Sequence, residues 1–387
     1  MKTATLILAA AVACIAAAAP ARTKLVTLPI RSQLVTSLEN SRYTLLFEER
    51  EIPLQKGTNY VDFSWNGVSI DANSVMIEMM TNPGDGDTAS KIIATGFPPN
   101  ENALTWQVYS PEARTERIRV SYLLYGISQE ASYEFRVNEK ETGGDFQQYL
   151  LLRNNSGEDL DSSVLRIPGL DDLSRSVDSG EVRRFLALRN KELPVQKLYV
   201  SHPSYNDWKG EDGEIVSLVY EIKNVTDVGL GKSKLAAGKV RIYGDDGMSS
   251  SIFLGEDMLT ETAPQENGDL TLGSVKDVVF RRRLMKNEQQ NVRRDSGNTT
   301  VLFDSVRQYT YELENFKNEA VTLKIVEPMK GDWELNPSTT DGVKTERKSL
   351  NELVIYVDLP AAKKGEPAEK KNVELNFTIH NVFPNEQ

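Results

Sequence analysis

Cysteine and histidine are scarce in this chain, and beyond its first residues it has no long apolar run. Its single cysteine, Cys14, lies inside an N-terminal stretch that reads as an export signal. The expected mature chain therefore has no disulfide, and each module must bury a core of its own. The two histidines, His202 and His380, do not make up the three or four ligands of a zinc site. No Gly-x-Ser-x-Gly elbow accompanies them, which argues against a serine hydrolase. The formal net charge of -11 repels phosphate backbones, so nucleic acid is not an expected partner. There are no heptads, and no motif calls for a cofactor or a metal. No segment after residue 19 is apolar enough to cross a bilayer, so no transmembrane segment is expected in the mature chain.

What is present begins with that signal. Lys2 gives a positive start, and Ala4 to Ala19 is a nearly unbroken small and apolar run ending in alanines. This pattern predicts a signal peptide over residues 1–19, cut before Pro20, and a secreted or periplasmic product. A lipoprotein held through Cys14 is the competing reading. Ala11-Val12-Ala13 is a poor match to its Leu-rich box, and the apolar run continues past Cys14.

One small pattern then recurs. A strand-like run ends in an asparagine, and a polar turn usually follows. It closes at Asn154, Asn224, Asn315 and Asn381. Alternating apolar residues closed by such a turn mark a half-buried strand. Elsewhere Tyr60 to Trp65 alternates strictly before Asn66-Gly67, a hairpin-turn signal. The run Val182 to Arg189 has helix-forming residues, but its alternation favours a strand. No convincing long amphipathic helix appears. The expected fold is all-β: two or three consecutive immunoglobulin-like β-sandwich modules after the signal, over residues 24–128, 129–206 and 214–387. Residues 287–298 read as a charged loop. Arg281-Arg282-Arg283 and Arg293-Arg294 read as solvated loop cations, with no interleaved aromatics that would suit nucleic acid.

Candidate site residues follow from residue chemistry. Trp65, Trp106 and Trp208 are candidate platforms for sugar rings or anchors for a protein interface. A core role is an equal claim for Trp65, as it is for Trp333, because a sandwich often packs tryptophan between its sheets. Asp207, Glu211, Asp212 and Glu214 cluster near Trp208. They read as a solvated linker, or alternatively as the carboxylates of a carbohydrate-active hydrolase, which needs two facing across a cleft. Asp85 and Asp87, or Asp245 and Asp246, do not match the spacing of a calcium loop, and they read as ordinary turn residues.

Several motifs occur in one order: Val120-Ser121-Tyr122, Gly126-Ile127-Ser128, Asn154-Asn155-Ser156-Gly157, Leu235 to Tyr243, Phe253 to Asp257, Leu270 to Gly273, Tyr311 to Asn315, Val326-Glu327-Pro328 and Gly331-Asp332-Trp333. Together they resemble the bacterial family known as domain of unknown function 4139, found also in mucoidy-inhibitor A-like proteins. The resemblance runs from about Tyr43 to the end. Gln129 stands where that family often has tryptophan, and the coiled-coil insertion of its longer members is missing. The resemblance implies an exported, β-rich envelope protein with no established catalytic residues. The functional expectation is a non-catalytic binding or scaffold protein of the cell envelope, whose partner is an envelope protein or a polysaccharide.

Overall fold

A computed structural model describes residues 25–40, 42–80, 89–167, 170–204, 213–245, 250–336, 342–363 and 365–384. The chain is all-β and divides into two compact units. The first unit contains residues up to Ser128, with Asn154–Arg166 and Asp172–Glu181. Its strands are β1 (Leu25–Thr27), β2 (Gln33–Ser37), β3 (Thr44–Leu54), β4 (Gly57–Ser64), β5 (Met76–Met79), β6 (Lys91–Gly96), β7 (Ala103–Ser110) and β8 (Arg114–Leu124). The chain then passes into the second unit through β9 (Ile127–Val137) and β10 (Gly143–Asn154). It returns with β11 (Leu160–Arg166) and β12 (Leu173–Val177). Two sheets result, ordered β1-β4-β7-β6 and β12-β11-β2-β3-β8-β5. Between them sits an aromatic cluster in which Phe63 meets Trp65, Trp106 and Tyr122 at centroid distances of 5.7 to 5.8 Å.

The second unit continues with β13 (Val182–Pro194), β14 (Gln196–Ser201), β15 (Glu214–Lys223), β16 (Gly238–Asp245), β17 (Ser251–Leu259), β18 (Asn267–Arg294), β19 (Thr300–Asn315), β20 (Val321–Pro328), β21 (Asp332–Asn336), β22 (Val343–Ser349), β23 (Glu352–Leu359) and β24 (Lys370–Val382). A five-stranded sheet runs β13-β10-β9-β16-β17. A nine-stranded sheet runs β21-β24-β19-β18-β15-β14-β20-β23-β22. One core joins Tyr133, Phe135 and Val240 of the smaller sheet to Tyr220, Ile222 and Leu270 of the larger. A second core lies wholly within the larger sheet, where Tyr311 and Phe377 near one end share a cluster with Leu323 and Ile355 near the other. The nine-stranded sheet thus folds its ends onto each other, and the second unit holds these two large cores beside a small cluster of Leu198, Val200 and Val219. No helix among the described residues is long and apolar enough to cross a membrane.

The expected span 129–206 is therefore shared between units: β11 pairs in parallel with β2, and β9 in parallel with β16. Such pairings join segments far apart in the chain, and no local pattern announces them. Residues 182–194 form a strand, as their alternation suggests. Asn66-Gly67 makes a turn, with Val68 N donating to Trp65 O, but it delivers the chain to the other sheet instead of closing a hairpin. The expected loop at 287–298 is mostly ladder: residues 287–294 of β18 pair with β19, and these exposed polar residues gain order from backbone pairing without burial.

Three of the four recurring asparagines share one device. Each is buried and ties two segments by donating its amide to two main-chain carbonyls. Asn154 Nδ2 donates to Glu158 O (2.7 Å) and Val177 O (3.0 Å). Asn224 Nδ2 donates to Ser233 O (2.8 Å) and Thr262 O (3.0 Å). Asn315 Nδ2 donates to Glu319 O and Pro360 O, both at 2.8 Å. In each case Oδ1 accepts a main-chain N–H of the following turn, from Ser156, Gly231 or Lys317. One clamp serves the first unit and one serves each large core of the second. Asn381 differs: its φ is 54° and its main-chain N donates to Asp304.

Candidate binding face

Of the three tryptophans expected to stack on a ligand, Trp208 lies outside the described residues. The other two are core residues: Trp65 is 6% exposed and Trp106 1%. Both alternate inward on their strands and pack on Phe63, so the stacking assignment is corrected for both. Trp333 is likewise buried, with its Nε1 donating to Leu350 O (2.5 Å). Of the carboxylates near Trp208, only Glu214 is described. It lies below the surface beside Arg282 (3.6 Å). Asp85, Asp87 and Asp246 lie outside the described residues. No group of three or more His, Cys, Asp or Glu is placed to hold a metal among the described residues.

Arg282 is not a loop cation. It lies within β18 at 2% exposure and donates to Glu327 Oε1 (2.5 Å) and to Ser204 O. Tyr311 donates to the other oxygen of Glu327 (2.8 Å). Burial pushes the Glu327 carboxyl up, against the pull of Arg282, and pushes the Tyr311 hydroxyl up as well. A carboxylate held on both oxygens in a closed core is a structural tie. Its neighbours Arg281 and Arg283 pair with Glu314 and Glu312 across the ladder. His380 sits between Asp304 (3.5 Å) and Glu334 (3.7 Å), and His202 is exposed just after β14.

The residues that do gather on an accessible surface lie on the outer face of the five-stranded sheet. Alternation in β9 and β10 turns Tyr133, Phe135, Leu150 and Leu152 inward, which leaves Glu134, Arg136, Gln147, Tyr149 and Leu151 outside. A continuous line of polar and aromatic contacts then crosses the sheet. Arg189 of β13 grips Asp145 of β10 through Nε (3.0 Å) and Nη2 (2.6 Å). Those bonds hold the Asp145 carboxyl below its usual range. Gln147 donates to Asp145 (2.7 Å) and accepts from the Tyr149 hydroxyl (2.6 Å). Arg184 lies over the Tyr149 ring, 3.6 Å from its centroid, and donates to Glu134 of β9 (2.9 Å). Arg136 sits 3.7 Å from the other oxygen of Glu134 and 5.8 Å from the ring of Tyr243 on β16. Tyr243 meets Phe253 of β17 edge-on at 5.6 Å. Beside that pair, Glu256 accepts from Lys239 (2.8 Å), which lowers its carboxyl, and lies 3.5 Å from Arg241.

Apolar groups interrupt this charged surface. Leu186 is 44% exposed, Phe253 55% and Met258 57%. The arrangement offers ring faces and aliphatic surface at fixed strand spacing, with planar guanidinium and carboxylate groups between them. Such a surface can stack on and hydrogen-bond to an extended ligand. The sequence placed Glu134 and Arg136 on one face of a strand. It did not show that parallel pairing sets Tyr243 opposite Arg136, and Arg241 opposite Glu134.

Compared with known proteins, the chain matches no family model and no curated protein.

Proposed function

We propose that this protein is an exported, non-catalytic binding component of the bacterial cell envelope, and that the outer face of its five-stranded sheet is its contact surface for polysaccharide. The carrying observation is the line of contacts from Arg189 to Phe253, which orders Arg and aromatic side chains on an open face and leaves Leu186, Phe253 and Met258 exposed among them. Side chains fixed by their neighbours lose less freedom on binding, so ordering of this kind favours recognition. The signal-like residues 1–19 and the motif resemblance to domain of unknown function 4139 support export and the envelope setting.

The test is co-sedimentation of the purified chain with insoluble envelope polysaccharide, with reducing ends assayed in the same tubes. Binding without sugar release, weakened by the double substitution Tyr243→Ala/Phe253→Ser, is expected. Binding that this variant leaves unchanged would refute the assignment of the face, and released sugar would make the protein a hydrolase.

A further inference from the structure

On this face the cations outnumber the carboxylates that hold them. Glu134 serves both Arg136 and Arg184, and Glu256 serves both Lys239 and Arg241. Four cations therefore share two carboxylates, while Arg189 and Asp145 balance each other. Further along β9 and β10, Glu130 and Arg153 offset each other in count, and Asp245, exposed on the same face at the end of β16, leaves a surplus of one cation among these groups. The chain as a whole carries -11, so a positively charged strip has been kept on an acidic molecule. Arg136 and Arg241 are the least committed of the four. Each is held loosely by its shared carboxylate, at ion-pair distances of 3.7 and 3.5 Å, and both side chains are at least half exposed. They sit on adjacent parallel strands, diagonal to each other, with Tyr243 opposite Arg136. A guanidinium presents a planar fork of donors that fits a carboxylate in two-point fashion, and a ring beside it gives a sugar a surface to stack on.

We infer that the ligand of this face is an acidic polysaccharide, whose sugar carboxylates are held by Arg136 and Arg241 and whose rings lie against Tyr243 and Phe253. The inference rests on the reading of the face as a polysaccharide contact surface. A second copy of this chain fits the charge less well, because two molecules of like net charge repel.

The experiment is titration of the purified full chain with four probes: polygalacturonate, its fully methyl-esterified form, neutral dextran and a single-stranded oligo-dT. The ester has the same ring backbone without the charge. Polygalacturonate is expected to bind at least about tenfold more tightly than its ester, and Arg136→Ala and Arg241→Ala are each expected to weaken it about tenfold. Raising the ionic strength from about 0.05 to about 0.5 M should weaken it further. Retained circular dichroism and an unchanged unfolding transition guard against simple misfolding. Equal binding of acid and ester would overturn the acidic-ligand inference. If Tyr243→Ala/Phe253→Ser still weakens both, the polysaccharide reading of the face stands. Oligo-dT binding as strong as polygalacturonate binding would make this a general polyanion surface and overturn the inference. No binding of any sugar would overturn the inference and the reading beneath it.

Discussion

Replacing Asn224 with alanine tests whether the asparagine clamps hold the modules closed. The side chain is fully buried and makes three bonds: donation to Ser233 O at 2.8 Å and Thr262 O at 3.0 Å, and acceptance from Gly231 N at 2.7 Å. Alanine deletes all three and strands two carbonyls and one N–H near the end of a sandwich. At about 1 kcal/mol for each lost bond, the local cost is about 3 kcal/mol. The chain divides into two compact units, so a single two-state midpoint is a poor measure of this change. Amide hydrogen exchange reads it directly. In peptides covering 224–235 and 260–272, a loss of about 3 kcal/mol in local opening free energy accelerates exchange about 100-fold. Asn154→Ala provides the contrast, because its clamp lies in the other unit and should leave those peptides unchanged. Acceleration of less than about threefold at 224–235 would refute the reasoning, since bonds of this geometry cannot be lost from a dry site so cheaply.

Three further outcomes follow from the same structure. Glu141 is partly buried, which raises its carboxyl, but donors from Lys197 and Tyr220 outweigh burial and hold it below its usual range. A depressed folded-state value contributes stability above the unfolded value and loses it as pH falls through the folded one. The stability gap between the native chain and Glu141→Gln should therefore be full at neutral pH and close in strong acid, as read by urea unfolding across pH. Gly157 has a φ of 87°, and a Cβ there would lie 2.0 Å from Gly67 O, so Gly157→Ala should cost at least about 1 kcal/mol, measured by tryptophan fluorescence of the first unit. Trp106→Ala should destabilise that unit by about 3–5 kcal/mol and leave polysaccharide affinity unchanged, whereas a ligand-stacking tryptophan would give the reverse.

The all-β class was legible because the strands advertise their period. Tyr60 to Trp65 alternates, and Val61, Phe63 and Trp65 are the residues that point inward. The recurring asparagine was legible too, although its meaning was not. A strand-ending residue and a buried three-bond clamp look identical in sequence, and Asn381 lies instead at an irregularity within β24 with a positive φ. The contents of each sheet were hidden, because β11 reaches β2 and β16 reaches β9 by parallel pairing across long separations. The candidate face was hidden for the same reason: it is assembled from five strands taken from three stretches of the chain. Tryptophan drew attention as the largest aromatic, yet its size also favours the core, where Trp65 and Trp106 lie. Composition misled at 287–298, since an edge strand paired in a ladder satisfies its backbone whether or not its side chains are polar.

Side-chain footprinting of the native chain, with and without saturating polysaccharide, tests the central claim most directly. The account expects protection at Tyr149, Tyr243, Phe253 and Met258, with Ile93 and Phe97, exposed on the first unit, labelled equally in both samples. Protection at Ile93 and Phe97 with the five-stranded face unchanged would contradict it.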